Sequence, residues 1–331
     1  MENDPVSNDI DLLTRLAIKH GTDKWGLHFY TPVYHELFRK IRLEKLKVLE
    51  IGVGGFGFRD FGGESLRMWS EYFPNSQIVG IDIEYKALPL PQNVHYENGS
   101  QTDLGFLDRV AKKYGAFDIV VDDGSHRPDH VIASFQFLFP RMSDSGLYVI
   151  EDTQAAFWPK WGGTPNGEKL LGFIAAAVQS LHRAEIKVAA PDYEPAEFLR
   201  RVKSVKALHN LLIVERGDDG EPSNFKFDPS HPAALAALNS IEDYIRKDPT
   251  PACYAQYAAV LDRSGRPDDA LRAVAQGLQL WTDHPSLLMS GFEIARARGQ
   301  IARARDFLVR LKAQSSDPLV AHTLARLSPG K

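Results

Sequence analysis

Four short apolar runs in the first two thirds of the chain each end in glycine or carboxylate: "KVLEIGV" (47–53), "QIVGIDI" (77–83), "FDIVVDD" (117–123) and "GLYVIED" (146–152). Strands that are apolar along their whole length must be covered on both faces. Helical patterns such as "SLRMWSEYF" (65–73) and "LGFLDRVAKKYG" (104–115) lie between them. This alternation predicts βαβ units and a doubly wound, Rossmann-like parallel sheet, an α/β fold. In such sheets ligands bind beyond the carboxyl ends of the strands. The acids and glycines that end these runs are therefore the first candidates for chemistry. A later pair, "VKSVKALHN" and "LLIVERG" (202–217), reads as two more strands joined by a tight turn.

The pattern changes after residue 217. "DDGEPSNFKFDPSHP" (218–232) is rich in Gly, Pro, Ser and Asp and reads as a linker. From residue 233 to 331 alanine is frequent and the periodicity is helical. "RSGRPDDALRAVAQGL" (263–278) aligns with "ARGQIARARDFLVRL" (297–311) at an offset of 34, with Gly265 on Gly299, Ala270 on Ala304 and Val274 on Leu308. That period and those small residues suggest an all-α, tetratricopeptide-like array of helical hairpins; a plain helical bundle is the alternative. The expected division is thus 1–217, 218–232 and 233–331.

A net charge of −4 gives no reason to expect a nucleic-acid partner, and the single cysteine, Cys253, excludes an intrachain disulfide or a cysteine metal cage. The polar start, "MENDPVSNDIDLL", is not a secretory signal, and no run of 18 apolar residues suggests a membrane span. A cytoplasmic setting is the expectation.

The first strand runs into Gly52, Gly54 and Gly55, which permit positive φ and close approach of backbone to a ligand. Asp82 ends the second strand, where an acid can accept both ribose hydroxyls of an adenosine. Glu50 precedes the first glycine, and the loop lacks a clean G-x-G-x-x-G. A strand ending in Glu-Ile-Gly favours S-adenosylmethionine, which has no pyrophosphate to cradle, over a dinucleotide. In "ENGSQTD" (97–103), Ser100, Gln101 and Asp103 are candidates to frame the adenine; a helix N-cap is the competing role. Glu50 and Asp122 also count on the cofactor side. Asp122 and Asp123 end one strand, Glu151 and Asp152 another. If the strands are neighbours, the carboxylates converge and repel unless a hard divalent cation, Mg²⁺, Mn²⁺ or Ca²⁺, lies between them. Capping a helix, or pairing with Arg127, is the alternative for any one of them. His126 could take a proton near neutral pH; it could also fix the turn or bind the metal.

Five ordered motifs, "HGTDKWGLHFYTPVYHELF" (20–38), "KVLEIGVGGF" (47–56), "GGESLRMWSEYFP" (62–74), "VVDDGSH" (120–126) and "YVIEDTQ" (148–154), resemble the macrolide sugar O-methyltransferases of the macrocin and mycinamicin type over roughly residues 12–217. The resemblance implies a class I methyltransferase that uses S-adenosylmethionine and Mg²⁺ to methylate a sugar hydroxyl of a glycosylated natural product or polysaccharide. It implies Asp123, Glu151 and Asp152 as metal ligands, His126 as general base, Asp82 on the ribose, and Ser65 and Arg67 on the cofactor side. It further implies that Lys24, Trp25 and Tyr30 help close the site and that Trp158 and Trp161 flank the acceptor. The family's extra segment ahead of the catalytic region has no counterpart here, which leaves the acceptor and the assembly open. The expected partner is a small-molecule or glycan acceptor, with self-association through the helical tail. Two rival readings remain: a metal-dependent hydroxylase of the cephalosporin-hydroxylase type, and a helical adaptor carrying an inactive methyltransferase fold.

Overall fold

The structure, a computed structural model, describes residues 10–218, 223 and 228–327. Much of the expected linker, residues 219–222 and 224–227, lies outside the described residues, as do residues 1–9. The chain forms two compact units, the first running to Arg183 and resuming at Asp192, the second taking Ala184–Pro191 and the C-terminal residues.

The first unit is built on seven strands: β1 (Lys47–Ile51), β2 (Gln77–Asp82), β3 (Val94–Asn98), β4 (Ile119–Asp122), β5 (Leu147–Ile150), β6 (Val202–Leu208) and β7 (Leu211–Arg216). Their order is β3-β2-β1-β4-β5-β7-β6. The first five are parallel, and β7 and β6 complete the sheet antiparallel. The doubly wound sheet is therefore as expected, with the late pair forming a hairpin whose turn holds Asn210 at φ 63°. Strand order reverses between β1 and β4, which opens a crevice at their carboxyl ends.

Helices α1 (Leu12–His20), α2 (Thr31–Phe38) and α3 (Glu64–Tyr72) cover one face; α4 (Leu104–Tyr114), α5 (Pro128–Leu138) and α6 (Glu168–Leu181) cover the other. The period-2 alternation of the strands divides the core accordingly. Val48, Val121 and Val149 pack with Leu13, Tyr34, Phe38 and Trp69. Leu49, Val120 and Ile150 pack with Leu107, Phe135 and Phe173.

The second unit begins with α7 (Arg183–Ala189), from Ala184 on. It continues with α8 (Pro232–Lys247), α9 (Pro251–Arg263), α10 (Pro267–Leu280), α11 (Pro285–Ala297), α12 (Ile301–Gln314) and α13 (Pro318–Arg326). Helices α8 to α11 and α13 open on proline, whose fixed φ and missing N–H suit the first helical position. Gly265 and Gly299, equivalent in the repeat, turn the chain at φ 73° and 67° between paired helices. Ala258, Ala270, Ala295 and Ala304 are fully buried, so these helices pack closely. No helix among the described residues is long and apolar enough to cross a membrane.

Phe135 ties the second layer together: it stacks on Phe139 at 4.5 Å and meets Tyr148 and Phe173 edge-on. Phe135→Ala is expected to lose about 3–5 kcal/mol in a urea titration. Phe58→Ala, at a side chain 67% exposed, should stay within about 0.5 kcal/mol of the parent. Equal midpoints for the two variants would contradict this placement of the core.

Candidate active site

Adjacent acids at a strand end must point to opposite faces, and this sorts the predicted carboxylates. Asp122 faces α5. Its oxygens accept from Ser134 Oγ (2.7 Å), Tyr148 OH (3.0 Å) and Gln101 Nε2 (3.1 Å). Burial pushes its carboxyl up, and these hydrogen bonds act against the rise. Glu50 faces the other way and accepts from Ser65 Oγ (2.7 Å) and Trp69 Nε1 (3.2 Å). Burial raises the Glu50 carboxyl also, with Lys24 opposing.

Lys24 is the centre of this second face. Its Nζ lies 2.7 Å from Asp123 Oδ2, 2.8 Å from Glu151 Oε1 and 3.3 Å from Glu50 Oε1. Lys24 is 1% exposed. Burial alone would lower its pKa, but the three surrounding carboxylates hold it well above the usual lysine value. Glu151 also accepts from Tyr34 OH at 2.5 Å. Burial and the neighbouring Asp123 push the Glu151 carboxyl well up, while Lys24 opposes them. The ammonium is reached from the segment between α1 and α2, where Tyr30 N donates to Lys24 O (3.1 Å) and His28 N to Asp23 O (3.0 Å).

A different trio meets beyond the strands. One ligand atom each from Asp123, His126 and Asp152 lies within 4.8 Å of the others. His126 Nε2 is 3.8 Å from Asp152 Oδ2. Both residues hold left-handed backbone, at φ 55° for His126 and 51° for Asp152. Such strain in non-glycine residues concentrates at functional sites. Burial works to raise the Asp152 carboxyl. Hydrogen bonds from Tyr30 OH (2.7 Å) and Gln154 Nε2 (3.1 Å) outweigh it, with help from His126 and His28, and hold it below the usual range. His126 Nδ1 is buried and has no hydrogen-bond partner, and Trp161 packs edge-on against the ring at 5.5 Å. Two carboxylates and an imidazole make a ligand set for a divalent cation. Glu151, also expected in the ligand set, accepts from Lys24 and Tyr34 through Oε1, on the face of the sheet that Val149 shares.

Beside the trio, a cavity of about 180 Å³ opens at the carboxyl ends of β1, β2 and β4. Gly52, Asp82, Ser100 and Gln101 line it, together with Ile83, Ser125 and His130. A Cβ on Gly52 would stand 2.2 Å from Asp123 O, so only glycine lets the two loops approach. Asp82 is fixed by the backbone amides of Val53 (3.0 Å) and Glu84 (2.8 Å). Several candidates do not line this cavity. Gly54 and Gly55 shape the following turn, and Arg67 braces that turn through Gly62 O (2.9 Å). Ser65 and Glu50 bond each other, and Asp103 caps α4 by accepting from Phe106 N. Asp122 reaches the cavity only through Gln101. Trp25 packs edge-on to Phe29, and Trp158 is half exposed. His130 and Ser125 were not predicted; their pairing (Nδ1···Oγ 3.0 Å) depends on α5 beginning at Pro128, which places His130 one turn past the loop.

No family model matches the chain. It is 40% identical to the mycinamicin VI 2''-O-methyltransferase of Micromonospora griseorubida over 214 residues, 63% of this chain and 53% of that protein. It is also 40% identical to the demethylmacrocin O-methyltransferase of Streptomyces fradiae over 233 residues, 69% of this chain and 59% of that protein. A solved methyltransferase of the mycinamycin pathway, MycE, in complex with Mg and SAH, superposes with a TM-score of 0.62 at 37% identity, covering 70% of this chain and 60% of that one. The chain thus spans between half and two thirds of the length of these relatives, and the resemblance to sugar O-methyltransferases read from the motifs holds. The sheet and its flanking helices are those of a class I methyltransferase.

Removing the buried ammonium should leave its carboxylates uncompensated. Lys24→Met is expected to lose about 3–5 kcal/mol of stability. Adding Glu151→Gln should recover part of that loss in the same thermal or urea measurement. A Lys24→Met protein as stable as the parent would contradict the structural role of this cluster.

Proposed function

We propose that the chain is an S-adenosylmethionine- and Mg²⁺-dependent O-methyltransferase acting on a sugar hydroxyl of a glycosylated small molecule. The observation that carries this reading is the adjacency of two features: the cavity at the ends of β1, β2 and β4, and the Asp123–His126–Asp152 trio beside it. Relatives at 40% identity are named as methyltransferases of antibiotic sugars, among them an enzyme of Streptomyces olivaceus acting on a rhamnosyl tetracenomycin. The neighbouring MycE structures hold Mg and SAH, one of them with mycinamycin VI as well.

In this reading Asp82 accepts the ribose hydroxyls, and Ser100 and Gln101 frame the base. Asp123 and Asp152 hold the cation, with His126 close enough either to ligate or to act as base. When bound, the cofactor supplies the electrophilic methyl group and the metal the Lewis acidity that eases loss of the hydroxyl proton. His126 Nε2 accepts that proton, and Asp152 at 3.8 Å stabilises the imidazolium that results. Tyr30 and Gln154 keep Asp152 ionised and oriented. Trp161 restrains the His126 ring and shields that side from water. The division at residues 217 and 233 is part of the proposal, as is self-association through the helical unit; a monomer mass for the full chain by light scattering would remove the latter.

Calorimetry with S-adenosylhomocysteine, with and without Mg²⁺, tests the reading. Wild type is expected to bind the cofactor product. Asp82→Ala should weaken that binding by about tenfold or more. Asp123→Asn should abolish the separate Mg²⁺ heat. His126→Asn should keep cofactor affinity and lower kcat by about 10²–10⁴-fold on an accepted glycoside. Absence of cofactor binding to wild type would overturn the enzyme reading.

A further inference from the structure

A second hollow of about 440 Å³ lies between α6 and the turn of the β6–β7 hairpin. Its volume falls in the range of about 300–1,000 Å³ usual for small-molecule sites. Phe157, Leu170, Leu171, Ile174, Leu208 and Leu212 make it an apolar groove. Phe157, Leu171 and Leu208 are 42%, 47% and 37% exposed, a concentration of apolar surface that marks a binding face.

The groove has one polar corner, and that corner belongs to the candidate active site. Thr153 and Gln154 line it immediately after Asp152, and His209 and Asn210 line it from the hairpin turn. Gln154 Nε2 donates to Asp152 Oδ1 at 3.1 Å. The other end of the same amide, Oε1, is buried and has no hydrogen-bond partner. A buried carbonyl oxygen left unpaired costs free energy unless something donates to it. Tyr30 OH joins the two places again, donating to Asp152 (2.7 Å) and approaching Asn210 O (3.4 Å).

An apolar trough that ends in an unpaired acceptor next to the metal-ligand candidates fits one class of occupant: an amphipathic molecule with a polyol head and a hydrophobic body. We infer that this groove seats the apolar aglycone of the acceptor, and that Gln154 Oε1 accepts a hydrogen bond from a sugar hydroxyl beside the one that reacts. The inference rests on the methyltransferase reading for the identity of the head group, but not for the apolar character of the groove. Gln154 then acts as a specificity residue: its amide fixes Asp152 with one end and registers the sugar with the other.

The test is calorimetric titration of the full chain, with S-adenosylhomocysteine and Mg²⁺ present, using methyl α-L-rhamnoside and octyl α-L-rhamnoside below its micelle concentration. Wild type should bind the octyl glycoside at least about tenfold more tightly than the methyl one. Leu171→Glu and Leu208→Glu, both at exposed positions, should erase that preference, with folding checked by circular dichroism. Gln154→Leu should weaken both glycosides and leave the preference for octyl in place. No preference in wild type, a preference that survives both leucine substitutions, or an unchanged affinity in Gln154→Leu would overturn the proposal. So would a doubled mass by light scattering that Leu171→Glu and Leu208→Glu return to the monomer value, which would assign the groove to a second copy of the chain. Failure of wild type to bind S-adenosylhomocysteine, with the octyl preference intact, would sink the methyltransferase reading and leave the groove standing.

Discussion

The ion pair cluster around Lys24 is the constraint on which the rest of the first unit depends. Three carboxylates, from β1 and from the ends of β4 and β5, converge within 3.3 Å of one ammonium that water scarcely reaches. Aromatic side chains of α2 and α3, Tyr34 and Trp69, close over the group and donate to two of the acids. One ammonium offsets only part of three carboxylates, and burial pushes the Glu50 and Glu151 carboxyls up towards the neutral form, which lowers the charge the interior must hold. Because Lys24 belongs to the segment between α1 and α2, the same contact anchors that segment over three strand ends. Tyr30, six residues on, is then held where its hydroxyl reaches Asp152 at 2.7 Å. The electrostatics on one side of the strand ends thus position a residue on the other.

Alternation along β4 and β5 separates two compartments that the sequence presents as one. Asp122 and Asp123 are neighbours in the chain, yet Asp122 is bonded into the α5 side and Asp123 into the Lys24 side. Glu151 joins Asp123 on the Lys24 side, whereas Asp152 accepts from Tyr30 and Gln154. The left-handed backbone at Asp152, φ 51°, turns its carboxylate back towards His126, itself at φ 55°. Tyr30, Gln154 and the packing of Trp161 over-determine these two conformations, which is the condition for strain to persist.

The fold was legible because its signal is local: apolar runs of strand length, helical periodicity between them, and a 34-residue offset that recurs in the helix starts at Pro251 and Pro285. The position of the site was legible too, since parallel sheets present their ligands at the carboxyl ends of strands. The sorting of side chains within it was not. Whether Asp103 frames a ligand or caps a helix depends on where α4 begins, and its carboxylate accepts from Phe106 N. Whether Glu151 meets Asp152 or Lys24 depends on the face that the alternation of β5 gives it, and it shares that of Val149. Lys24 itself gives no sign of burial in the sequence, because its three partners lie between 26 and 127 residues away. The pairing of His130 with Ser125 depends likewise on the exact first turn of α5.

Asp123 is the residue that the Lys24 cluster and the trio with His126 and Asp152 share. One of its oxygens, Oδ2, accepts from Lys24 Nζ at 2.7 Å, and the same carboxylate belongs to the trio with His126 and Asp152. Its backbone carbonyl also occupies the space a Cβ on Gly52, which lines the cavity, would need. A carboxylate has two oxygens and several lone pairs, so it can be held from behind and still offer a ligand in front. Asp123 thus meets the N-terminal segment through its side chain and the glycine turn through its main chain. Lys24, Asp123 and Gly52 therefore form one continuous contact from the N-terminal segment to the cofactor side, with the metal-ligand candidates at its midpoint.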